Sequence, residues 1–227
     1  MKTNTGFTLI ELSIVLIIIS LIVGGIVGGK SLIRSAELQT ISSDLARFRT
    51  SLNTFQDQYD ALPGDMRNAQ DYWGVGAYNG DANNRWDDIN EIIGSWHQMS
   101  LAGTIDESYS GNIPNGKLVA GFNVPKSDLK SGAFTVWYDA DEFPGGDYNH
   151  IRLGAFNNTA YYSAGIVKAA EAKSIDKKID DGKSNEGKVV ATYSFDSTGT
   201  PVFGCISGGN YNLSNTEANC RLRFSVD

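Results

Sequence analysis

The sequence predicts an α+β chain: a long N-terminal helix, apolar in its first half and amphipathic in its second, packed on a C-terminal antiparallel β-sheet head. Three observations carry that expectation. Residues 7–29 hold no charge except Glu11. Residues 41–59 place Ile41, Leu45, Phe48, Leu52, Phe55 and Tyr59 at alternating spacings of four and three, a single stripe down a helix. After Pro63 come short runs rich in Val, Phe, Tyr and Thr, bounded by Gly, Pro, Asn and Asp. A long helix followed by antiparallel strands reads as α+β, with the sheet covering the stripe.

Residues 1–6, Met-Lys-Thr-Asn-Thr-Gly, form a polar leader too short to fold. Residues 7–29 follow at once. At about 1.5 Å per residue a helix of that length covers roughly 35 Å, enough to cross a hydrocarbon core of about 30 Å. A carboxylate inside such a span costs roughly 2.5–3.5 kcal/mol, which marks Glu11 as functional. Gly24, Gly25, Gly28 and Gly29 make the helix weakest at the end of this stretch, or serve close packing against another helix. Residues 30–60 contain no helix breaker and continue the same helix as its amphipathic half. Leu62-Pro63-Gly64-Asp65 ends it.

The remaining 61–227 form the head. Residues 61–112 read as a connecting region with a short helix at 90–102. The sheet region, 113–227, offers strands at 117–123, 133–138, 150–156, 188–195, 201–206 and 220–226. It also offers a helix at 163–181 that stops at Gly182. About 165 residues outside the long apolar stretch and its continuation make a comfortable single domain.

Net charge is −7 at pH 7, so counterion release at phosphate gains the chain nothing and nucleic acid is a poor partner. The two cysteines, Cys205 and Cys220, follow a membrane-length segment, and in an exported domain such a pair is a disulfide rather than a metal site. By the chain-entropy view, closing a loop of that size is worth on the order of 3 kcal/mol. His97 and His150 are the only histidines, and neither has metal-ligand or triad spacing around it. Nucleophile-elbow, phosphate-loop and dinucleotide-binding glycine motifs are missing, so the sequence points to no enzyme, no cofactor and no metal.

Several readings compete with function at these positions. An ordinary secretory signal has an apolar core of about 7–15 residues, shorter than this run. A plain single-pass anchor leaves Glu11 without a role. Residues 79–88 place oxygen ligands at alternate positions, as a calcium loop does. However, Arg85, Trp86 and Ile92 stand where an EF-hand needs a ligand, a glycine and a glutamate, so the run reads as a solvated turn-rich loop. Residues 176–183 read as a solvated helix end. Charge flanking conflicts with export: Lys2 precedes the span, whereas Lys30, Arg34, Arg47 and Arg49 follow it. The leader motif and the cysteine pair outweigh that count.

Gly6-Phe7-Thr8-Leu9-Ile10-Glu11-Leu12 ahead of a long apolar helix resembles the leader of type IV pilins and type II secretion pseudopilins. The resemblance is specific over residues 1–35 and architectural beyond. It implies cleavage by prepilin peptidase after Gly6 and N-methylation of Phe7. It further implies residence in the bacterial inner membrane as a single pass with the head outside the cytoplasm. The inner-membrane assembly platform would then draw the subunit into a pilus or periplasmic pseudopilus of copies of itself or other pilins. Glu11 would meet the Phe7 amine of a neighbour and set axial register. The alternative is a membrane-anchored or minor-pilin binding module whose head recognises a surface, substrate or partner.

Overall fold

The computed structural model describes residues 6, 8–129, 131–139, 148–157 and 161–226. Most of the leader and Phe7 therefore lie outside the described residues. The chain divides into two compact units, residues 1–39 and 40–227. Helix α1, Leu9–Tyr59, is assigned across both. It contains no proline, and the glycines at 24–29 do not interrupt it. The expected weakening is thus not expressed as a break, since about 1 kcal/mol per glycine is too little to open an otherwise apolar helix.

In the second unit the stripe is buried. Ile41, Leu45, Phe48, Leu52 and Phe55 are all inaccessible, whereas Tyr59 is half-buried at the helix end, against Tyr72 and Trp73. The cover is shared. Phe48 makes edge contacts with Trp96 of helix α3 (Ile89–Ala102) at 5.0 Å and with Phe134 of the sheet at 5.1 Å. The sheet alone does not cover the stripe, as expected from sequence; α3 takes a part.

The turn after α1 is a hub. Pro63 accepts a bond from Trp86 Nε1 at 2.7 Å through its carbonyl, and Gly64 N donates to Gln98 Oε1 at 2.6 Å. Gly64 has φ +88°, and a side chain there would run into the backbone of Glu91 and Ser95, so only glycine lets α3 approach. Helix α2, Ala69–Trp73, follows, then α3, capped by Asp88, whose carboxylate accepts from Asn90 N and Glu91 N, and closed by Gly103 in the left-handed region.

The central sheet has four antiparallel strands in the order β1-β2-β8-β3: β1 Gly132–Asp139, β2 Tyr148–Ala155, β3 Val189–Thr192 and β8 Arg221–Ser225. Alternation sorts it into two faces. Phe134, Val136, Ile151, Leu153, Leu222, Phe224, Val189 and Ala191 share the apolar one, and Phe134 brings it to α1. Thr135, Trp137, Asp139, His150, Arg152, Arg221, Arg223 and Thr192 share the other.

Four boundaries differ from expectation. Residues 117–123 are not a strand. Asn123 is buried, accepts from Val119 N at 2.6 Å through Oδ1, and donates to the carbonyls of Asn112 and Lys117. Its amide satisfies backbone groups that a strand would pair, and Gly121 at φ +77° turns the chain. Helix α4 is Ala169–Ile179, shorter than 163–181, because Ala164 and Val167 pair with Ala155 and Cys220 instead. Residues 188–195 split into β3 and β4 (Ser194–Phe195), which pairs β5 (Pro201–Val202). Residues 201–206 are not one strand: β5 ends at Val202, Gly204 at φ +122° turns the chain, and Ile206 opens a hairpin, β6 Ile206–Ser207 with β7 Asn210–Tyr211, of which β7 was not expected. Cys205 and Cys220 are disulfide-bonded, both buried, and tie this hairpin to the start of β8.

Candidate functional site

The N-terminal segment places the first candidate residues. Thr8 caps α1: Glu11 Oε2 accepts from Thr8 N and from Thr8 Oγ1, both at 2.8 Å, and Glu11 N donates back to Thr8 Oγ1 at 3.3 Å. Thr-x-x-Glu before an apolar run is a capping box, in which two orphan donors are satisfied reciprocally. Sequence reasoning gave Glu11 a role only toward a neighbour and missed this local one, although the spacing displays it. The cap offsets part of the cost of a carboxylate at this depth by giving it two donors. Both donors converge on Oε2.

Within the first unit the apolar side chains from Leu9 to Ile33 are exposed on all sides of the helix. Its polar groups are settled internally: Ser13 Oγ donates to the Ile10 carbonyl at 2.9 Å, Ser20 Oγ to the Leu16 carbonyl at 2.7 Å. This helix is long and apolar enough to cross a membrane. Gly6 is exposed, and a side chain there would meet nothing of its own fold. The same holds at Gly24, Gly25, Gly28 and Gly29, so contacts within the chain do not require glycine at any of them.

Of the cations that follow the span, Arg34 pairs with Glu37 at 3.1 Å. Arg47 pairs with Glu107 and Asp44, and Arg49 donates to the Ser225 carbonyl, fastening α1 to β8.

In the head, the 79–88 loop is more than a solvated turn. Trp86 is fully buried, and Asn149 binds both Trp86 N and the Asn84 carbonyl. Asp65, from the turn after α1, accepts from Asn83 N and Asn84 N. Asp65, Asp81 and Glu91 bring three carboxylates within 4.8 Å of one another, oxygen donors of the kind hard cations take. Asp65 and Glu91 were outside the stretch that sequence reasoning weighed for calcium. Burial above all, then the charges of Asp88, Asp65 and Asp87, push the Glu91 carboxyl up to about 7, with a bond from Asp87 N acting the other way. A proton on Glu91 relieves part of that crowding.

A second acidic group, Asp176, Asp180 and Asp181, lies at the end of α4. Asp176 is buried rather than solvated as the sequence suggested: it accepts from Tyr211 Oη at 2.8 Å and from Gly182 N at 3.1 Å, docking α4 on the β6–β7 hairpin. His150 is buried beside Asp139, and burial, with Arg152 and Arg223 nearby, holds it well below the usual imidazole range and therefore neutral.

Residues 1–27 match the family described as the prokaryotic N-terminal methylation motif, the prepilin leader of type IV pilins and pseudopilins. No curated protein and no solved structure matches the chain.

Proposed function

We propose that this chain is a structural subunit of a type IV pilus or type II secretion pseudopilus. Prepilin peptidase cuts after Gly6, the Phe7 amine is methylated, and the apolar half-helix holds the subunit in the inner membrane until the assembly platform moves it into a filament. The observation that carries the reading is the prepilin leader over residues 1–27 running into a helix whose apolar surface is uncovered by its own unit. Such a surface needs lipid or other helices around it. The disulfide supports a head folded outside the cytoplasm, where thiols are oxidised.

In this reading Glu11 acts twice. In the membrane, Thr8 caps it. In the filament, the Phe7 ammonium of a neighbouring subunit approaches the carboxylate and sets axial register, as buried polar pairs do in otherwise apolar bundles. Glu11→Ala should leave cleaved subunits in the membrane while lowering sedimentable filament by about tenfold or more, the loss expected when a buried ammonium is left without its partner. Thr8→Val removes one arm of the cap and keeps the carboxylate, so it should cost far less. Filament yield unchanged in Glu11→Ala would sink the register argument.

A further inference from the structure

The second face of the head's sheet buries three arginines. Arg152, Arg221 and Arg223 are 7%, 3% and 1% exposed. Among the described residues, Asp139 pairs with two of them: it lies 3.2 Å from Arg152 and 2.6 Å from Arg223, and 3.2 Å from His150. Arg221 makes its contacts with neutral groups. Its Nε donates to Thr192 Oγ1 at 3.1 Å, and its guanidinium carbon stands 5.4 Å from the centre of the Phe195 ring. Burial first, then Arg152 and Arg223, depress its proton affinity well below the ordinary arginine value. A buried cation in that position is costly unless an anion meets it.

Arg152 and Arg221 both reach a cavity of about 270 Å³. Its walls include Trp137, against which Arg152 stacks at 4.9 Å, and Tyr161, whose ring meets Trp137 edge-on at 5.2 Å. Ser163 lines it too, and since its Oγ accepts from Asn157 Nδ2 at 2.7 Å, its own proton remains to be donated. We propose that this cavity is an anion site that takes the carboxylate of a single-ring organic acid, with Arg152 and Arg221 holding the carboxylate and Trp137 and Tyr161 flanking the ring. Guanidinium forks match carboxylate geometry, and the aromatic walls suit the flat or CH-rich face of one ring. The volume, about 270 Å³, lies just below the usual range for drug-sized ligands, which begins at about 300 Å³, and so suits a single ring. The ring is a sugar acid or an aromatic acid, and the probes below separate the two. The site belongs to the head and is independent of how the N-terminal helix is used.

The test is isothermal titration of the full-length protein in detergent with D-glucuronate, benzoate and neutral methyl glucoside. Saturable uptake of one molecule of either acid at about 1 mM or tighter, with none of the glucoside, is expected, and the acid that saturates identifies the ring. Arg221→Gln should weaken binding by about tenfold or more, and Arg221→Lys by less, because an ammonium cannot make the bidentate contact. Tyr161→Ala, on the half-buried wall, replaces it if Arg221→Gln does not fold, and should also weaken binding. The proposal is overturned if the wild-type protein takes up neither acid, if the glucoside binds as well, or if the variants bind like wild type.

Discussion

Glu91 is the residue whose charge state the head controls most visibly. Its folded pKa of about 7 lies above the ordinary 4.5, so the folded state binds a proton that the unfolded state releases. The associated stability is complete below about pH 4.5 and is lost as pH rises through about 7. Burial is the main cause, and the charged neighbours, Asp88, Asp65 and Asp87, all have the sign that keeps the proton on. Glu91→Gln, which keeps an acceptor for Asp87 N, should be more stable than wild type at pH 8 and close to it at pH 4. Thermal unfolding of both proteins across that range measures this; parallel pH profiles would refute it. The Thr8–Glu11 cap was legible as a local spacing. The meeting of Asp65 with Glu91 was not, because it depends on Gly64 seating α3 against the turn.

At the scale of the element, α1 was the most legible part of the chain. Its apolar half is marked by composition and its second half by period, and both signals are local. The stripe's stabilising power rests on Phe48, wedged between Trp96 and Phe134. Phe48→Ala should cost about 3–5 kcal/mol, read as a lower denaturant midpoint, while Phe55→Leu at the same face should cost far less. Equal effects would mean that the stripe is not packed as described. The strands were legible where they alternate, as in β1 and β2. Residues 117–123 have strand composition, yet the Asn123 side chain supplies the partners that a neighbouring strand would, and composition does not display that competition. The two-residue strands β4 to β7 carry too few residues to show a period.

For the whole molecule, the division into residues 1–39 and 40–227 separates a surface that suits lipid or helices from a domain with its own core. The alternating charges of β8, Arg-Leu-Arg-Phe-Ser, were within reach of sequence reasoning, since Arg221 and Arg223 sit two apart in a run read as a strand. What could not be read was that both arginines are buried, since alternation marks two faces of a strand without saying whether the polar one is covered. The head's disulfide closes a 15-residue separation, and reduction should lower stability by about 3 kcal/mol. Free thiols titrating in the unfolded, non-reduced protein would contradict both the bond and a compartment that sustains it.

The account turns on what happens between Gly6 and Phe7. Intact mass spectrometry of the protein extracted from the cell envelope measures it directly. The expected mass is that of a chain starting at Phe7 and carrying one methyl group. A chain starting at Lys30, cut as an ordinary secretory signal would be, would lack the whole apolar half-helix and contradict the filament reading.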